Sequence, residues 1–224
     1  MTAQPADAHA DDWARARQRM ALEQLERRGI RDPELLRAFL TAPRHLFVES
    51  DDPYGDHALA IGSGQTISQP YVVAAMTAAA RPSGGYRGAK VLEVGTGSGY
   101  AAAILAELGA SVVTMERHEP LAAHARECLE AAGYDEVRVV VGDGTRGWEE
   151  GAPYDAILVT AAGPRIPDPL RLQLSPNGGR LVMPVGTRER QWVTVVERHD
   201  GQYRRREVEP VVFVPLLGEH GFPE

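Results

Sequence analysis

The stretch KVLEVGTGSGYAAAILAEL, residues 90–108, decides the fold. Its first five residues, Lys90–Val94, read as a mostly apolar strand. Gly95-Thr96-Gly97-Ser98-Gly99 follows directly, and Ala101–Leu108 reads as a helix. Glycines in a strand-to-helix turn let the backbone bend tightly and pass close to a ligand. The alternation continues with strand Ser111–Glu116, helix Pro120–Gly133, strand Val137–Asp143 and strand Tyr154–Ala162. Apolar strands separated by amphipathic helices predict a parallel sheet covered on both faces. Three later strands, Gly178–Gly186, Gln191–Arg198 and Glu207–Leu216, have no helix between them. Only Thr187–Arg190 separates the first two, which predicts antiparallel pairing at one edge.

Upstream, residues 1–11 read as a frayed tail. Asp12–Arg28 predicts an amphipathic helix carrying Trp13, Met20, Leu22 and Leu25, with Gly29 as its C-cap. Asp32-Pro33-Glu34 predicts a second helix start, with Asp32 as N-cap; that helix runs through Leu35, Leu36, Phe39 and Leu40 and stops near Pro43. A second glycine-rich run, GSGQTISQPYVVAAM (Gly62–Met76), is small and polar until Pro70. By its residues alone it is a capping loop, with Ser68 as N-cap of the helix that follows. A helix N-terminus there would suit an anion, and Gly62–Gly64 would serve as a hinge.

Composition narrows the function. The chain has 224 residues, 43% of them hydrophobic, with a formal net charge of −7. That balance argues against a protein that gains affinity by neutralising phosphates, so no nucleic-acid partner is expected. The apolar runs are too short to span a bilayer, and the polar N-terminus lacks the apolar core of a signal peptide. Cys128 is the only cysteine, which suits a reducing, cytoplasmic setting, and it reads as a packed small residue within its helix. His118 and His124 lie six apart, off any shared helix face, and no metal site is expected. His57 reads as a solvated loop residue and Arg204–Arg206 as a solvated hairpin end.

Two acids mark the ligand edge of the sheet. Glu116 ends the strand after the glycine loop, 21 residues beyond Gly95, where a carboxylate accepts ribose hydroxyls. Asp143, with Gly144, follows the third strand at the same edge. Tyr100 stands where a dinucleotide fingerprint needs its third glycine, which disfavours a dehydrogenase. The motif is instead E-x-G-x-G-x-G, Glu93 to Gly99, and it resembles motif I of the class I S-adenosylmethionine-dependent methyltransferases. That resemblance implies a cofactor site made by Glu93, Gly95, Thr96, Gly97, Ser98 and Gly99, with Glu116 at the ribose and Asp143-Gly144 beside the adenine.

A narrower resemblance rests on APRHLF (Ala42–Phe47), GSGQTISQP (Gly62–Pro70), YDAILVTAA (Tyr154–Ala162), PDPLRLQLSPNGGRLVMPVG (Pro167–Gly186) and FVPL (Phe213–Leu216). From about Arg28 to Leu217 the chain is similar to the protein-L-isoaspartate O-methyltransferase family. The resemblance implies methyl transfer from S-adenosyl-L-methionine to the free α-carboxylate of L-isoaspartyl residues in damaged proteins or peptides, releasing S-adenosyl-L-homocysteine. The ester then closes to a succinimide, whose hydrolysis returns some normal aspartyl. It makes Ser68 the active-site residue, sets Thr66 and Ile67 against the cofactor, and brings Val214, Pro215 and Leu216 to the substrate. Thr160 and Ala161 end the fourth strand at the ligand edge, where their backbone would meet the peptide; a plain small-residue strand end is the alternative. Some relatives methylate aspartate side chains of a dedicated peptide; the short C-terminus favours repair. A methyltransferase for RNA or a small molecule, and a binding protein with a dead site, are the rival readings. The T-I-S-Q-P run and the acidic balance disfavour the first. The presence of Ser68 and Glu116 disfavours the second.

The expected architecture is therefore α/β: a Rossmann-like, doubly wound, mostly parallel seven-stranded sheet with an antiparallel edge and an N-terminal helical extension. Residues 1–80 would hold the helical segment and the substrate loop, and residues 81–224 the methyltransferase core, in one structural domain. A monomer is expected.

Overall fold

The computed structural model describes residues 7–223. Its strands are, in chain order, β1 (Leu59–Gly62), β2 (Gln65–Ile67), β3 (Lys90–Val94), β4 (Ser111–Glu116), β5 (Arg138–Val141), β6 (Ala156–Val159), β7 (Asn177–Gly186), β8 (Gln191–His199) and β9 (Gln202–Val211). The helices are α1 (Asp7–Met20), α2 (Pro33–Thr41), α3 (Pro70–Ala80), α4 (Tyr100–Glu107), α5 (Glu119–Ala131) and α6 (Asp168–Leu172).

Seven strands form one sheet in the order β5-β4-β3-β6-β7-β8-β9. Pairing is parallel from β5 to β7, and β8 runs antiparallel to both β7 and β9. The expected mixed sheet is present. β3 has β4 on one side and β6 on the other, so the strand order reverses there. Open α/β sheets hold their ligands in the crevice outside the carboxyl ends of strands at such a point.

Alternate residues of the central strands feed opposite layers, as a period of two requires. Val91, Ala156, Leu158 and Val182 belong to one apolar cluster, with Phe39 of α2, Ala74 of α3 and Ile104 of α4. Leu92, Ile157, Val159 and Leu181 belong to the other, with Leu170 of α6. Truncating any such buried Leu or Ile to Ala costs about 2–5 kcal/mol.

Several expectations need correction. Residues 1–6 of the expected tail lie outside the described residues, and residues 7–11 belong to α1. The helix expected over Asp12–Arg28 is not continuous: α1 ends at Met20, a wide π turn covers Ala21–Leu25, and a tighter 3-10 turn covers Glu26–Arg28. The wide turn buries Met20, Ala21 and Leu25 together and leaves Leu22 facing out. Gly29 does cap the segment, at φ +97°, and Asp32 does cap α2, accepting from the N–H groups of Glu34 and Leu35. The last strand lies five residues earlier than expected. β9 pairs Tyr203–Arg206 with Val195–Arg198, and Val212–Leu216 leaves the sheet.

The run Gly62–Pro70 is also not a plain capping loop. β1 and β2 pair as an antiparallel hairpin, with Gly62, Ser63 and Gly64 all at positive φ in its tip. α3 takes Gln69 as its N-cap residue, without a side-chain bond to the helix, and Ser68 stands one residue further out. Pro70 at the first helical position sets that start, and Gln69 Nε2 instead donates to the Asp56 carbonyl. Cys128 is buried in α5, and His57 and Arg204–Arg206 are exposed.

Candidate active site

The glycine loop leaves β3 at the switch point and enters α4 at Tyr100. Its first glycine is sterically required. Gly95 sits at φ +96°, and a Cβ there would lie 2.4 Å from Thr160 Oγ1. That hydroxyl donates to the Gly95 carbonyl at 2.7 Å, tying the loop to the end of β6. Gly97 lies at the tip, where Ile61 of the hairpin covers it.

Two cavities flank this loop. One, of about 520 Å³, is bounded by Thr66, Ile67 and Ser68, by Glu93 and by the loop from Gly95 to Ser98. The other, of about 660 Å³, lies toward Glu116, Gly144, Ala161 and Val214–Leu217. Gly95 and Gly97 border both. A third, open groove runs outward past Arg28, Tyr71 and Glu209–Val214. Thr66 and Thr160 border all three spaces, and Ser68, Val72 and Phe213 border the first cavity and the groove.

Glu116 is aimed by backbone amides. Its Oε2 accepts from Gly97 N–H at 2.9 Å and its Oε1 from His118 N–H at 3.0 Å. A carboxylate has about four lone-pair sites, so acceptor capacity remains for a ligand hydroxyl. Glu93 is wholly buried. Thr114 donates to its Oε2 at 2.6 Å, while its Oε1 has no partner. Burial, reinforced by the charge of Glu116, raises its pKa to about 8.

That shift makes stability depend on pH. Between the unfolded value near 4.5 and the folded value near 8, the folded chain keeps a proton that the unfolded chain gives up. The stabilisation is full below 4.5 and is lost as pH rises toward 8. The Glu93→Gln variant has no such proton. Its stability relative to wild type should therefore rise by ~1.4 kcal/mol per pH unit across that window. Melting curves of both proteins from pH 5 to 8 check this, and parallel curves would contradict it.

Not every expected residue lines a cavity. Asp143 spends its carboxylate within the protein: Oδ1 accepts from the N–H and hydroxyl of Thr145, and Oδ2 accepts from Glu219 N–H. Burial pushes this carboxyl up, but the Glu219 and Thr145 donors outweigh it and hold the carboxyl below the usual aspartate range. The C-terminal segment is thereby pinned beside the second cavity, with an Arg146–Glu219 ion pair alongside. Gly99 packs against Leu129, away from both cavities. Ala161, Pro215 and Leu216 line the second cavity and not the groove, whereas Thr160, Ser68 and Val214 do border the groove. Val214 and Leu216 are held to the end of β6 by their backbone bonds to Ala162.

The structure adds residues that the sequence reading passed over. Gln191, 2% exposed, accepts from Phe213 N–H at 2.7 Å and so fixes the segment after β9 that forms one wall of the groove. Thr114 links Glu93 to Thr96 inside the sheet; a threonine in the apolar run SVVTME was a readable signal. Arg44, of the A-P-R-H-L-F motif, reaches the carbonyl of Ser68.

A sequence profile for protein-L-isoaspartate(D-aspartate) O-methyltransferase matches residues 16–221. The chain belongs to this family. A relative named protein-L-isoaspartate O-methyltransferase from Methanoregula boonei is 52% identical, over 92% of this chain and 94% of its own. One of the same name from Pelotomaculum thermopropionicum is 48% identical, over 95% and 93%. A solved structure named protein-L-isoaspartate O-methyltransferase superimposes with a TM-score of 0.81 at 27% identity, covering 92% of this chain and 67% of that one. A Plasmodium falciparum structure described as a complex with S-adenosyl-L-homocysteine superimposes with a TM-score of 0.78 at 24% identity, covering 89% and 98%, and supports the fold.

Proposed function

We propose that the chain is a repair methyltransferase. It moves a methyl group from S-adenosyl-L-methionine to the free α-carboxylate of L-isoaspartyl residues in damaged proteins or peptides. One observation carries this reading beyond family membership. The residues shared between the groove and the two cavities, namely Thr66, Ser68, Val72, Thr160, Phe213 and Val214, include no ionisable side chain. An amine or hydroxyl acceptor needs a base near its proton, whereas a carboxylate is already ionised at neutral pH. A junction of hydroxyls, backbone and apolar side chains fits a carboxylate acceptor.

The residues present fit the cofactor. The buried, unpartnered Oε1 of Glu93 lines the first cavity and would meet the cationic amino group of a methionine moiety. Glu116 would hold the ribose from the second cavity, and the backbone at Gly144 would meet the adenine. Thr66, Ile67 and the loop Gly95–Ser98 would enclose the middle. When bound, the cofactor supplies an activated methyl on sulfonium and leaves as S-adenosyl-L-homocysteine. The protein's own part is positioning and exclusion of water. Ser68, at the mouth of the groove, would orient the acceptor carboxylate through a hydroxyl that makes no hydrogen bond among the described residues. Neutral donors orient an anion without the tight ion pair that would blunt its reactivity.

No helix among the described residues is long and apolar enough to cross a membrane. Together with a single free cysteine, this supports action in the cytoplasm.

The test uses a methyl-labelled donor and an isoaspartyl peptide. The expected product is a base-labile ester that releases labelled methanol in mild alkali. A label that survives alkali would place the methyl on nitrogen or carbon and overturn the reading.

A further inference from the structure

The junction depends on a residue that touches neither cavity nor groove. Arg44 has no accessible surface, yet it carries a guanidinium. No carboxylate pairs with it among the described residues. Its Nε donates to the Pro53 carbonyl and its Nη2 to the Ser68 carbonyl, each at 2.7 Å, and its guanidinium lies 4.8 Å from the centroid of the Tyr100 ring. Nη1 has no partner. Burial lowers its pKa to about 10, so the group stays charged at neutral pH. Burying a charge without a counterion costs stability that an apolar residue of similar size would not. Stability does not explain why an arginine stands here.

Position does. Ser68 sits between β2 and α3, outside the hydrogen bonding of either. The Arg44 fork is the bond that fixes its carbonyl. The peptide unit is planar and trans, so fixing that carbonyl also fixes the Gln69 N–H, which points the opposite way. Both Ser68 and Gln69 border the groove. The same guanidinium lies over Tyr100, the first residue of the helix that opens from the glycine loop. Arg44 therefore spans the acceptor side and the donor side of the junction.

We propose that Arg44 is a positioning residue for the methyl transfer, acting through the main chain of Ser68 to place the Ser68 hydroxyl on the acceptor. This rests on the methyl-transfer reading above. Lysine keeps the charge but cannot hold two carbonyls with one fork. A misplacement of about 1 Å in such a site costs on the order of 100-fold in rate.

The experiment is a double-mutant cycle in the full chain with an isoaspartyl peptide, using Arg44→Lys and Ser68→Ala. Arg44→Lys should lower kcat/KM by about 100-fold while affinity for S-adenosyl-L-homocysteine stays within about threefold. In the Ser68→Ala background the same change should cost only a few-fold, because the group it positions is gone. Equal losses in both backgrounds, or loss of S-adenosyl-L-homocysteine affinity in parallel with rate, would make Arg44 merely structural and overturn the proposal. If Arg44→Lys does not accumulate folded, Arg44→Gln goes through the same cycle with the same two outcomes. The wild-type arm separates the readings: no transfer there defeats the methyltransferase reading itself, not the role of Arg44.

Discussion

Gly95→Ala should abolish measurable binding of S-adenosyl-L-homocysteine and lower the melting temperature. The backbone at this position is left-handed, at φ +96°, and an L side chain there costs about 1–2 kcal/mol. The new Cβ would also stand 2.4 Å from Thr160 Oγ1. Thr160 must then rotate, breaking its bonds to the carbonyls of Val94 and Gly95, and a lost hydrogen bond costs about 1 kcal/mol more. A total of about 2–4 kcal/mol corresponds to roughly 5–15 °C in a chain of this size. The cofactor loses more, because the loop and Thr160 both border the two cavities. Gly201→Ala is the control. It has positive φ at the β8–β9 turn, but nothing lies within 4 Å of its added Cβ. It should cost stability alone and leave calorimetric binding unchanged. Equal binding by Gly95→Ala and wild type would contradict the account of the loop.

Ser68→Ala should separate binding from turnover. Ser68 borders the first cavity and the groove but belongs to neither the glycine loop nor the Glu116 cluster. A hydrogen bond to a charged group is worth about 1.5–3 kcal/mol, or about 10–150-fold. The expected result is a loss of that size in kcat/KM for an isoaspartyl peptide, with S-adenosyl-L-homocysteine affinity within about threefold of wild type. Loss of that affinity instead would move Ser68 from the acceptor to the cofactor.

What the sequence made legible was local and periodic. The β3–β6 segment could be read because apolar runs, helical spacing and glycine turns agree there. The hairpin β1–β2 could not, because strands of three or four residues around Gly-Ser-Gly show no period and look like a loop. The last strand was misplaced because Val211–Leu216 is the more apolar run. The residues that pair, Gln202–Val211, are charged and exposed along a sheet edge, which keeps other strands from pairing there. Long-range partners left no trace either. Asp143 meets Glu219 across 76 residues, and Arg44 meets Ser68 across 24. Nothing in G-D-G announces that its aspartate anchors the C-terminal segment, and nothing in A-P-R-H-L-F announces a buried, unpaired guanidinium. Residues of the glycine loop and the strand ends that border the cavities stand out in the sequence because chemistry and spacing coincide. Contacts to the main chain, such as that of Arg44 with the Ser68 carbonyl, are visible only in three dimensions.

The measurement that bears most directly on the account is kcat/KM for two peptides of identical composition, one with L-isoaspartyl and one with L-aspartyl at a single position. On the function proposed above, the junction takes the free α-carboxylate that an isoaspartyl linkage leaves in the chain. The predicted result is methyl ester formation on the isoaspartyl peptide and none above background on the aspartyl peptide. Equal transfer to both, or transfer to the aspartyl peptide alone, would contradict it.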